Sequence, residues 1–182
     1  MIIRMFISIP INDTDSIVSV LDDIKQIRNV RASPISQLHI TMRFIGDIDD
    51  GKTKKVVKAV EDAVEDIQPF SISIRGIGCF PNLKRPNVIW VGVKPEDVLK
   101  KMADRISVSL KSMNISFDEK PFKSHVTVGR CSGPADVAPL LEKYRDTEFT
   151  SFECDRILIM RSELSPKGAK HTILHTVNIG SE

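Results

Sequence analysis

The sequence predicts a single α+β domain of two similar lobes, with two strands lining a shared cleft between them. Three observations carry this. First, Leu38-His39-Ile40-Thr41-Met42-Arg43-Phe44 has a counterpart at Ser124-His125-Val126-Thr127-Val128-Gly129-Arg130, nearly half a chain length away. Both read His, apolar, Thr, apolar, so in a strand each His shares a face with its Thr while the apolar residues enter a core. Second, the order strand, helix, His strand, helix, strand occurs twice, followed by one more strand. Third, no low-complexity segment or long linker separates the halves. The domain spans 1–182, with approximate repeat halves 1–86 and 87–182 and intertwined lobes.

Each element follows from local pattern. The run 2–9, rich in Ile, Phe and Met and ended by Pro10, reads as a buried strand. Asn12 to Asp15 offer N-cap side chains, and Ile17, Val20, Leu21, Ile24 and Ile27 fall at helical spacing, so a helix extends to about Asn29. Residues 31–37, with Pro34, read as a loop, and 38–45 as the first His strand, ended by Gly46. A helix follows with Val56, Val60, Ala63, Val64 and Ile67 on its apolar face. Lys52, Lys54, Lys55 and Lys58 at its start oppose the helix dipole and read as solvated. Residues 70–75 alternate as a half-buried strand, 76–87 are turn-rich, and 88–93 form a strand whose Trp90 reads as core. Pro95-Glu96-Asp97 opens a third helix, with Val98, Met102, Ile106, Leu110 and Met113 on its apolar face. After the second His strand (124–128), Gly133-Pro134 begins a short helix, 149–160 reads as one long strand, 162–169 as a turn and 171–179 as the last strand.

Composition bounds the function. With 26 basic and 24 acidic side chains the net charge is +2, too balanced to diagnose nucleic-acid binding, so an anionic ligand needs a local cationic cluster. Three scattered cysteines, an odd number with no CxxC spacing, argue against a disulfide framework and read as buried or inert thiols of a reducing cytoplasm. The apolar N-terminus is short, is interrupted by Arg4 and lacks a signal layout, and no run reaches membrane-spanning length. The expectation is a soluble, cytoplasmic monomer.

Two facing imidazoles can act as an acid and base pair near neutral pH. Hydrolysis of a cyclic phosphodiester suits them. One His takes a proton from water, which attacks phosphorus, and the other protonates the departing ribose oxygen. Thr41 and Thr127 are candidate donors to the non-bridging phosphate oxygens. Strict alternation puts Arg43 on the face of His39 and Thr41, where it could clamp phosphate. It puts Arg130 opposite His125 unless Gly129 permits a bulge. No carboxylate cluster is present to hold a metal, and no cofactor is implied.

These residues resemble the two-histidine phosphoesterase superfamily, whose signature is a pair of His-x-Thr motifs. Within it they are most similar to the RNA 2',3'-cyclic phosphodiesterases, historically called 2'-5' RNA ligases. The likeness includes Arg4 to Ile7, His39 to Gly46, Gly76 to Pro81, Val88 to Val93, Pro121 to Arg130, Arg161 to Leu164 and Gly168 to Leu174. The resemblance implies a bilobal fold of two antiparallel sheets around a central cleft, with helices outside. It also implies metal-free opening of RNA 2',3'-cyclic phosphate ends to 2'-phosphates, with ATP-independent 2'-5' joining of tRNA halves in some members. It points to His39 and His125 as the catalytic pair, with His39 as acid and His125 as base. Thr41, Thr127 and Arg130 would bind phosphate, and Phe44 would be a base or pocket contact. Ser124 stands where the family often has Pro, and His171 where it often has Tyr, so His171 is a second candidate base contact.

Other readings fit the same residues. The substrate could be a small cyclic nucleotide or ADP-ribose cyclic phosphate, or the chain could bind nucleotides without turnover. Parity points Phe44 away from His39, which suits core packing as well as stacking. His171 and His175 would sit about 13 Å apart in a strand, too far for one metal. Lys123, Arg31, Arg161 and Lys170 are candidates for a basic rim or ordinary surface charges.

Overall fold

In the computed structural model, which describes residues 1–180, nine strands form two antiparallel sheets. The strands are β1 (Ile2–Pro10), β2 (Val30–Ala32), β3 (His39–Asp49), β4 (Phe70–Phe80), β5 (Val88–Lys94), β6 (His125–Cys131), β7 (Glu148–Cys154), β8 (Arg156–Ser165) and β9 (Gly168–Asn178). One sheet has the order β3-β1-β8-β9 and the other β2-β6-β5-β4-β7. The chain is an α+β protein. The two His strands hold matching positions, β3 beside β1 and β6 beside β5. The sheets do not divide the chain at its midpoint. β4 pairs with β5 in the second sheet, and β8 returns to pair with β1 in the first.

Four α-helices cover the sheets: α1 (Val18–Ile24), α2 (Thr53–Val64), α3 (Glu96–Ser112) and α4 (Ala138–Tyr144). α1 packs on β6 and α4 on β4. α2 and α3 pack together, with α2 touching β9 and α3 touching β3 and β5. The apolar stripe of α3 shows why. Leu99, Met102, Ala103, Ile106 and Leu110 are all buried, as helical spacing requires. Alternate residues Ile89, Val91 and Val93 of β5 enter the same core, leaving Trp90 and Gly92 on the opposite face.

Several boundaries differ from the sequence expectation. α1 stops at Ile24, and Asn29, with φ +66°, turns the chain into β2. That short strand lies in the expected 31–37 loop and exists because it pairs with β6. β4 runs on to Phe80 because Gly76, at φ +74°, forms a bulge rather than a turn. The expected 149–160 strand is two strands: at Asp155 the chain leaves β4 and crosses to β1. The 162–169 turn contracts to Pro166-Lys167 between β8 and β9. No α-helix is long and apolar enough to cross a membrane among the described residues.

Candidate active site

A cleft of about 510 Å³ opens between the two sheets, within the usual range for ligand pockets. The first sheet lines it with Arg4, Phe6, His39, Thr41, Phe44 and His171; the second contributes His125, Thr127 and Arg130. Of the candidate catalytic, phosphate-binding and base-contact residues, only Arg43 is missing from it.

The two histidines are held alike. His39 Nδ1 lies 2.6 Å from the Gln37 carbonyl, and His125 Nδ1 lies 2.7 Å from the Lys123 carbonyl. A carbonyl only accepts, so each Nδ1 carries the proton. Each Nε2 is thus the nitrogen that exchanges protons. His39 Nε2 is 3.0 Å from the Thr41 hydroxyl, within hydrogen-bond range. Both carbonyls belong to the residue two before the His, so each strand entry aims its own ring. Gln37 also donates its side-chain amide to the Ala169 carbonyl, which ties this entry to β9.

Burial pushes His39 down to about 4, aided by the neighbouring His171 and His125 and opposed by the Gln37 carbonyl, which favours the protonated ring. Burial also lowers His125, and the cations of Arg130 and Lys123 add to this against the Lys123 carbonyl. His171 is lowered by burial. The site therefore holds its imidazoles neutral at pH 7.

Arg43 lies outside the cleft, contrary to strict alternation. Thr41 pairs with Ser8 and Arg43 with Ile7, so Met42 is an extra residue in β3. Such a bulge shifts alternation by one position. Arg43 turns away from the cleft and is 8% exposed; it donates from Nη1 to the Lys120 carbonyl at 2.8 Å and lies 3.5 Å from the Asp104 carboxylate. Phe44 takes the cleft position that parity denied it, with the Arg4 guanidinium 5.2 Å from its ring centre. β6 repeats the device. Thr127 pairs with Trp90 and Gly129 with Ile89, leaving Val128 over, so Arg130 comes round to the face of His125 and Thr127. Gly129 matches Arg43, and Arg130 matches Phe44. A Cβ on Gly129 would sit 3.3 Å from the Arg31 carbonyl and 3.4 Å from Ile24, so that position packs under α1.

The expected basic rim is only half present. Arg31 pairs across from Arg130 and so shares its face, with its guanidinium beside Gly168, whereas Arg161 binds Glu163 at 2.9 Å and Lys170 faces Glu163 in the β8–β9 register. The cations lining the cleft are Arg4 and Arg130. Lys123 sits beside the cleft, 5.1 Å from the Phe80 ring centre. Phe6 and Phe80 are site residues that the sequence pattern did not single out. Phe6 packs 4.9 Å from both His39 and His171, and Phe80 meets His125 edge to face at 5.4 Å. An aromatic among strand residues reads as core, and Phe6 is indeed buried; only the neighbouring rings reveal its second face. His171 lies 5.5 Å from His39, while His175 is exposed beyond the unpaired Leu174. Among the described residues, no group of three or more His, Cys, Asp or Glu side chains converges as a metal site requires.

The chain is similar in sequence and fold to known proteins. Residues 15–166 match the 2'-5' RNA ligase superfamily. The RNA 2',3'-cyclic phosphodiesterase of Archaeoglobus fulgidus is 32% identical over 168 residues, which cover 91% of this chain and 94% of that protein. A solved structure from Thermus thermophilus superposes with a TM-score of 0.83 at 24% identity, covering 98% of this chain and 99% of that one. Escherichia coli LigT complexed with 3'-AMP gives a TM-score of 0.75 at 16% identity, covering 99% of each chain. The structural likenesses show the fold. The chain belongs to the 2'-5' RNA ligase superfamily.

Proposed function

We propose that this protein hydrolyses 2',3'-cyclic phosphate ends of RNA to 2'-phosphates without a metal ion, using His39 and His125 as a general acid and general base. The observation that carries this reading is the repeated site half. Two imidazoles, each fixed by a carbonyl two residues back, line one cleft with a threonine beside each. The names of the relatives agree in reaction class.

The scissile phosphate sits between the rings. His125 Nε2 takes a proton from water, which attacks phosphorus, and His39 Nε2 protonates the departing 3'-oxygen. Thr41, Thr127 and Arg130 donate to the non-bridging oxygens, whose charge rises in the transition state. The surrounding charges support this division. His125 stands beside the permanent cations Arg130 and Lys123, which disfavour its protonation. His39 is depressed mainly by burial, and a bound phosphate anion offsets that directly, loading His39 with the proton it must give. Phe44 and His171 flank the terminal nucleoside. In the same reading, a 5'-hydroxyl RNA end, such as that of a tRNA half, takes the place of water: His125 accepts its proton, its oxygen bonds to phosphorus, and the 3'-oxygen leaves with the proton of His39, which gives a 2'-5' linkage.

The test is a short RNA ending in 2',3'-cyclic phosphate, incubated with EDTA. The expected product is the 2'-phosphate; a 3'-phosphate contradicts the assignment of the leaving oxygen. His39→Ala and His125→Ala should each lower kcat by roughly 10²–10⁴-fold. Full activity in both variants would remove these residues from the mechanism. Turnover of cyclic mononucleotides with none of RNA would favour a small-molecule substrate.

A further inference from the structure

A second hollow, of about 310 Å³, adjoins the cleft at His125. Its wall is Phe80 and Trp90, with ring centres 5.3 Å apart. Glycines make it. A Cβ on Gly78 would lie 2.2 Å from the indole of Trp90, its cross-strand partner, so the ring lies across a glycine of β4. A Cβ on Gly92 would come within 2.5 Å of the Arg75 carbonyl, so this position also admits only hydrogen. Trp90 is thus not the core residue its apolar strand predicts. It is partly exposed and lines the hollow.

The rim is cationic. Arg75, Lys94, Lys123 and Arg145 line the hollow against a single acid, Glu96. Glu96 lies 3.8 Å from Lys94, and Arg145 pairs with Glu142 at 3.6 Å. Arg75 is within ion-pair distance of no carboxylate among the described residues, although Glu148 of β7 is its register partner. Aromatic faces beside unpaired cations form the platform on which single-stranded nucleic acid stacks its bases and neutralises its phosphates.

We infer that this hollow is a subsite for the RNA nucleotide that precedes the cyclic-phosphate terminus. Its base stacks on the Trp90 and Phe80 wall, and its phosphate is held by Arg75 and Lys123. The inference rests on the proposed RNA reading and adds to it a source of preference for polynucleotide ends over free cyclic nucleotides. The contiguity at His125 is what makes one strand able to occupy both spaces.

Trp90 is the only tryptophan in the chain, which gives the test a local reporter. kcat/KM is measured on a nucleoside 2',3'-cyclic phosphate and on a dinucleotide with the same end. The dinucleotide is expected to be favoured by roughly 10-fold or more. Arg75→Gln, an exposed change, should shrink that ratio several-fold. In parallel, tryptophan fluorescence is titrated with the 2'-phosphate products. The dinucleotide should quench it saturably and more strongly than the mononucleotide. Equal turnover and equal quenching by both lengths would overturn the subsite and leave the hydrolytic reading standing. Length-dependent quenching without turnover of either substrate would keep the subsite and overturn the hydrolytic reading. Neither turnover nor quenching would overturn both.

Discussion

Replacing Arg43 and Arg130 separately tests whether the bulges assign the two arginines correctly. Arg43→Gln removes a charge-assisted bond to the Lys120 carbonyl, worth about 1.5–3 kcal/mol. The Asp104 carboxylate is half exposed, so that ion pair adds at most about 1 kcal/mol. The total is about 1.5–4 kcal/mol. For a domain of this length each kcal/mol moves Tm by about 2–4 °C, so Tm should fall by roughly 3–16 °C. Activity measured well below the transition should stay within about threefold, because the side chain is outside the cleft. Arg130→Gln should do the reverse. The residue is exposed, so stability should change by less than about 0.5 kcal/mol. Loss of a charge-assisted phosphate contact should lower kcat/KM by roughly 10–100-fold. The assay is thermal and urea unfolding followed by intrinsic fluorescence, paired with steady-state hydrolysis of a cyclic-phosphate RNA. An Arg43→Gln variant that keeps its stability and loses activity, or an Arg130→Gln variant that loses stability and keeps activity, would refute this assignment of the two arginines.

Two further outcomes are expected. His39 titrates at about 4 when folded and at about 6.5 when unfolded. Its folded value is the lower one, so its contribution to stability is complete above about pH 6.5 and is lost as pH falls towards 4. Between pH 7 and pH 4.5 the wild type should lose up to about 2.5 kcal/mol more than His39→Gln, read from unfolding curves at each pH; equal losses would contradict the burial of that ring. Gly78→Ala should displace the Trp90 indole, cost about 1–3 kcal/mol and shift the tryptophan emission spectrum. An unchanged spectrum would mean the ring does not lie across Gly78.

Most of the frame and the core of the candidate site were legible from the amino acids alone. His39, Thr41, His125 and Thr127 were legible because a two-residue period is a local property and the motif occurs twice. The strands and helices were legible for the same reason, from caps, apolar stripes and alternation. Residues on either side of a bulge were not. Met42 and Val128 look like ordinary strand residues, and only the paired strand shows that each lacks a partner. Parity counted across those positions therefore exchanged the faces of Arg43 and Phe44. It also turned two equivalent site halves into an asymmetric pair, with Arg43 set against Gly129. The break at Asp155 stayed hidden because no Gly or Pro marks it and the chain stays extended while it changes sheets. Trp90 and Phe6 carried no local sign of a cleft-facing role, since an aromatic side chain in a strand has the same pattern against a core or a ligand. Which face it presents depends on cross-strand partners far away in sequence, here Gly78 for Trp90 and Phe44 for Phe6. The tertiary structure decided those contacts, because pairing register is set between strands and cannot be read within either one.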